Sequence, residues 1–142
     1  MAAFNKFNLF TQDMCRGLHF FNSGGATYKA ELSNTATVAT NHLYGDISGN
    51  EVASGGGYTT GGATVTMTDS STSGTETVSA SAASPTWTGS GGGIGPFRYV
   101  TVYQSSDTNK ELVAWFDYGS SISLNSGDTF TVSWASGFFT AA

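Results

Sequence analysis

The chain has 142 residues, enough for one domain with its own core, and only 11% of them are charged. Ten acidic residues against five basic ones leave a net charge of −5, and the five cations are scattered. That balance argues against a nucleic-acid binder, which needs clustered Lys and Arg to meet phosphates. Nineteen glycines among many Ser and Thr would suit a disordered chain, but ten Phe, six Tyr and three Trp in alternating runs point to a packed all-β domain.

In chain order, the N-terminal residues 1–7 lack an uninterrupted apolar core and a small-residue cleavage site. They read as mature sequence made in a reducing cytosol. Phe4, Phe7, Phe10, Met14 and Leu18 recur at steps of three and four, which predicts a helix over 4–18 ending near Gly17. Its Phe stripe must be buried, either on the chain's own sheet or on a neighbouring subunit. Residues 1–22 therefore read as a helical arm and 23–142 as the β domain. After the turn Ser23-Gly24-Gly25, residues 26–32 alternate, with Tyr28, Ala30 and Leu32 inward and Thr27, Lys29 and Glu31 outward, as in a half-exposed strand. Residues 33–62 form a long irregular stretch, and loops of that length are usually functional or partner-bound.

Ala63, Val65 and Met67 predict an inward face for a strand over 63–68, followed by a turn over 69–74 and a weak, edge-like strand over 76–82. The densest β signal is the pair 95–103 and 111–118, both rich in β-branched and aromatic residues and joined by a polar loop. Neither run has a clean polar face, which places both in the middle of a sheet. A short strand over 120–124, the turn Asn125-Ser126-Gly127-Asp128 and a strand over 129–134 follow, and the tail Gly137-Phe138-Phe139 is apolar. Eight or so short strands separated by turns predict a single-domain antiparallel β-sandwich, jelly-roll or immunoglobulin-like, with a short N-terminal helix.

No catalytic constellation is legible. The run Gly91-Gly92-Gly93-Ile94-Gly95 enters a strand through Pro96, with no Lys-Ser/Thr after it and no helix to receive a phosphate. His19 and His42 each stand without a nucleophile pattern, and the acidic residues lack Ca²⁺-loop spacing. Cys15 is single, which leaves no disulfide framework. Arg98 and Asp117 suit an ion pair across strands or sheets, or across a subunit interface. Trp87, Tyr58, Tyr44 and Tyr28 suit either a sugar-stacking platform or core packing. No cofactor or metal is implied, and no apolar run is long enough to span a membrane.

Several segments together carry a resemblance. They are residues 1–8, Leu32-Ser33-Asn34-Thr35 with Val38-Ala39-Thr40-Asn41, Gly57-Tyr58-Thr59 with Gly61-Gly62, Gly93-Ile94-Gly95-Pro96-Phe97-Arg98-Tyr99, and Trp115 with Asp117-Tyr118-Gly119. In this order they span nearly the whole chain, and they resemble the small virion proteins of tailed bacteriophages that act as capsid cement or decoration proteins. Residues 69–88, rich in Ser and Thr, depart from that pattern. The resemblance implies a non-enzymatic protein on the outer capsid surface that bridges major capsid subunits and itself forms a symmetric homo-oligomer. The segments expected to dock are Phe4, Phe7, Phe10, Tyr58, Phe138 and Phe139, over a core motif of Phe97, Arg98, Tyr99, Trp115, Asp117 and Tyr118. The exposed-aromatic reading leaves a second expectation, a tail-associated glycan- or receptor-binding module.

Overall fold

A computed structural model describes residues 3–22, 24–80, 85–134 and 138–141. Met1 and Ala2, Ser23 of the first turn, the end of the strand expected over 76–82, and Gly137 and Ala142 of the tail lie outside the described residues.

The dense aromatic runs form the long hairpin at the centre, β7 (Ile94–Gln104) and β8 (Leu112–Leu124). The short strand expected over 120–124 is the continuation of β8, with Ile94 opposite Leu124. Around this hairpin lies an open five-stranded antiparallel sheet. Its order is β1 (Asn5–Lys6), β8, β7, β2 (Tyr28–Ser33) and β3 (Ala63–Val65). A three-stranded sheet places β5 (Thr75–Ala80) between β4 (Met67–Thr72) and β10 (Phe139–Ala141), and β6 (Thr86–Thr88) pairs with β9 (Thr129–Thr131). The protein is thus mostly antiparallel β, with packed sheets that do not close into a barrel.

The N-terminal segment differs from the expected helix. Helix α1 spans only Phe10–Cys15, while Asn5 and Lys6 pair with Trp115 and Ala114 of β8. A lone helix of fifteen residues is marginal, whereas the outer side of β8 offers backbone hydrogen bonds to an extended segment. Gly17, at φ +70°, ends the helical turn. Because β1 completes the large sheet, residues 3–22 belong to the same core as the rest.

Two further expectations are corrected. Residues 69–72 are strand, and the reversal is confined to Ser73 and Gly74, both at positive φ, which suits the right-handed twist of a two-residue hairpin. The strand expected near an edge, β5, is the central one of its sheet.

Both faces of the large sheet are covered. One face carries Tyr28, Ala30, Leu32, Val100 and Val102, all buried. Tyr28 stacks on Phe21 at 4.9 Å, and Phe21 meets Phe139 of the smaller sheet at 5.2 Å. The opposite face carries Glu31 opposite Thr101 and Lys29 opposite Tyr103. Over it lies the irregular segment 43–62, with 3₁₀ turns at Tyr44–Asp46 and Ser48–Asn50. Consequently Glu31, expected to face solvent, is fully buried.

Candidate functional site

The expected docking residues are packed inside the chain. Phe7 and Phe10 are each 1% exposed, Phe138 is buried, and Phe4 and Phe139 are half-buried. Phe7 lies 4.7 Å from Trp115 by ring centroids, and Phe10 meets Phe139 edge-on at 5.3 Å. Phe4 meets Phe138 at 5.3 Å and Phe116 at 6.0 Å. Phe stripe and tail therefore satisfy each other, and the own-sheet alternative for the stripe is the one realised. Tyr58 is also buried, its phenol oxygen accepting from the Leu32 N–H at 3.0 Å.

The sugar platform does not form from its four aromatics. Tyr28, Tyr58 and Trp87 are buried, while Tyr44 is half-buried and stacked on Tyr103 at 4.4 Å.

What the structure does bring together is three of the segments that carry the resemblance. Ser33 of β2 pairs with Tyr99 of β7, and Tyr99 pairs with Asp117 of β8, so three distant motifs align across three strands. Arg98 forks onto Asp117, with Nε 2.7 Å from Oδ1 and Nη2 2.8 Å from Oδ2. Its guanidinium also lies 5.3 Å from the Tyr99 ring centre. The fork holds the Asp117 carboxyl below its ordinary range, aided by the Gly119 N–H, and raises Arg98. Ser121 donates to Asn34 Oδ1 at 2.6 Å, tying the Leu32–Thr35 motif to the far part of β8. Tyr118, the next residue of β8 after Asp117, is 55% exposed and meets Phe130 edge-on at 5.7 Å. Phe97 is buried beneath it against Phe130, and Trp115 is half-buried. The result is a partly exposed, fork-shaped ion pair with Tyr99 beside it, on a three-strand base.

Both histidines have partners that spacing alone does not reveal. His19 Nδ1 lies 3.1 Å from Gln104 Oε1, within hydrogen-bond distance. Burial pushes His19 down, with the Gln104 bond opposing. His42 Nε2 lies 2.8 Å from the buried Asp13 carboxylate. Among the described residues, no group of three or more His, Cys, Asp or Glu is placed to hold a metal ion.

A buried acidic site also went unseen in the sequence. Glu51 accepts from the Tyr58 hydroxyl at 2.5 Å, from the Gly61 N–H at 2.6 Å and from the Tyr44 hydroxyl. Tyr103 donates to the Gly61 carbonyl at 2.7 Å. Glu31 sits on the same face with neither carboxylate oxygen in a well-formed hydrogen bond. Burial pushes its carboxyl up to about 8, the Thr101 hydroxyl opposes the rise, and the Glu51 charge adds to it. Burial likewise pushes Tyr58 and Tyr44 up, with the bonds to Glu51 adding, and carries Tyr103 to about 12. The only sequence signal for this site is the length of segment 33–62, which has to rest on something.

No family model matches the chain, and neither a curated protein nor a solved structure matches it. No helix among the described residues is long and apolar enough to cross a membrane.

Proposed function

We propose that this chain is a capsid cement or decoration protein of a tailed bacteriophage. It binds major capsid subunits where they meet, bridges them on the outer surface of the head, and carries no catalytic activity. The observation that carries the reading is that three of the resembling segments lie side by side in register, with the partly exposed Arg98–Asp117 fork, Tyr99, the Asn34–Ser121 bond and the exposed Tyr118 that follows Asp117 on β8. Solvent-accessible tyrosines and an arginine on a fixed base are the residue types that anchor protein contacts. This face replaces the Phe stripe as the docking surface, since the stripe is spent on the core. We take the packed sheets as a β-sandwich of the jelly-roll or immunoglobulin-like kind, a stiff body suited to bridging. The chain acts as a symmetric oligomer.

The copy number of this chain relative to the major shell protein, counted in purified virions, tests the proposal. A ratio of the order of the shell subunits supports a capsid-wide bridge. A few copies per particle transfers the chain to the tail, and absence from the virion overturns the reading. In a shell-binding assay, Tyr118→Ala weakens capture while leaving the unfolding midpoint in place.

A further inference from the structure

The segment that covers the polar face of the large sheet is tied to it by several backbone and side-chain bonds, and one carboxylate gathers its two ends. Val52 donates to the Leu32 carbonyl at 2.9 Å, and Glu51 pairs with Ser33 as an isolated bridge, which puts the Glu51 side chain on the same face as Glu31. From there Glu51 gathers Tyr44 at one end of the segment and Tyr58 and Gly61 at the other. It is the knot of the strap 43–62. Directly under the strap lies Glu31, 0% exposed, with Thr101 across from it in register. The Thr101 hydroxyl is itself without a well-formed hydrogen bond.

A fully buried carboxylate beside a second, half-buried one cannot ionise cheaply. The groups facing Glu31 decide which one gives way. From the strap come Glu51, Tyr44 and Tyr58; from β7 come Thr101 and Tyr103; from β2 itself comes Lys29. The phenols are donors, and three of the five hydrogen bonds that tie the cluster to the strap end on Glu51, whose oxygens act there as acceptors, while Glu31 has no such donors. Lys29 is the nearest cation along the strand and makes no ion pair with Glu31. Glu31 is left as the acid that keeps its proton.

We propose that the strap 43–62 is a proton-held cover: it is clamped on the sheet while Glu31 is neutral, and it loosens when Glu31 ionises beside Glu51. Raising the pH puts a second negative charge under the knot, and lifting the strap lets water reach it. The inference is independent of the capsid reading, because it rests only on the chain's own packing.

Hydrogen exchange of the full chain, followed by peptide and corrected for the intrinsic pH dependence of exchange, tests it. Between about pH 5.5 and pH 7.5, protection of residues 51–62 is expected to fall by more than about tenfold, because each pH unit between the free and buried titration ranges changes the opening constant up to tenfold. Amides of β7 and β8 are expected to stay more protected throughout. In Glu31→Gln the strap's protection is expected to be flat over the same range. A pH-independent strap, or one whose loss of protection only tracks that of β7 and β8, overturns the proposal. Should Glu31→Gln not fold, the infrared carbonyl stretch of a buried protonated carboxyl in the native chain gives a second reading. It is expected at about pH 6 and gone by about pH 9.5; absence at both overturns the proposal. Strap tightening by calcium at constant pH, without that band, overturns it in favour of a bound cation.

Discussion

Replacing Phe10 by Ala separates a core role from a docking role. The ring is 1% exposed and lies 5.3 Å from Phe139, 6.2 Å from Phe21 and 5.2 Å from the His19 imidazole, measured between centroids. Truncating a buried Phe to Ala costs about 3–5 kcal/mol, and of that each edge-on aromatic contact accounts for about 0.5–1.5 kcal/mol. The loss is concentrated where the N-terminal segment meets β10, so the termini should loosen together. With a urea slope of about 2 kcal/mol per molar, the unfolding midpoint falls by about 2 M. Leu9→Ala is the control, since Leu9 is 37% exposed on the neighbouring position and should cost under about 1 kcal/mol. Equilibrium urea unfolding followed by Trp fluorescence measures both. A Phe10→Ala shift as small as that of Leu9→Ala would refute the packing argument and return the stripe to a partner.

Four further outcomes follow from the same geometry. Gly62→Ala is expected to destabilise by at least about 2 kcal/mol, because Gly62 has φ +73° and a Cβ there would lie 1.9 Å from the Ala30 carbonyl oxygen. Gly74→Ala, at φ +83° with open space around it, should cost about 1 kcal/mol, both variants being read by thermal melts. Tyr58→Phe leaves Glu51 short of a donor and the Leu32 N–H short of an acceptor, about 1–3 kcal/mol for each, read by chemical denaturation at about pH 6. For pH dependence, the folded chain keeps the Glu31 proton up to about 8 while the unfolded chain releases it near 4.5. The stability owed to that proton is therefore full below about pH 4.5 and lost by about pH 8, at about 1.4 kcal/mol per unit. His19, pushed down by burial, acts in the opposite sense by losing stability as the pH falls below 6.5. The difference between native and Glu31→Gln melts isolates the Glu31 contribution, and parallel pH profiles would contradict it.

The central hairpin was legible because its residues say the same thing at every level. β-branched and aromatic composition, the lack of a polar face and a polar connecting loop all agree with the observed β7 and β8. The turn over 125–128 is equally local, with the Asp128 carboxylate accepting from the Asn125 N–H at 2.9 Å. The N-terminal segment misled because its Phe spacing is helical while its path is not. Phe7 packs with Trp115 on one face of the large sheet, whereas Phe10 lies with Phe21 and Phe139 toward the other, so one apolar stripe serves two layers. The hairpin of β4 and β5 was read partly as a turn because the outer residues of β4 are exposed on both faces. A strand that buries nothing leaves no alternation to detect.

The buried acidic site was hidden for a related reason, and the reason is general to sheets covered on both sides. Period-two alternation assigns polar residues to solvent only when one face is wet. In β2 the position of Glu31 reads as an outer face, yet it is buried because segment 43–62 folds back over it. Nothing local distinguishes such a glutamate from a surface one. The information lies further along the chain, in a segment too long to be a plain loop and supplied with Tyr44, Glu51 and Tyr58 that meet it. The motif-bearing face was hidden differently: Ser33, Tyr99 and Asp117 each sit in a recognisable segment, but only strand order and register make them neighbours. Sequence pattern names the members of a site within one strand, and topology decides which strands share it.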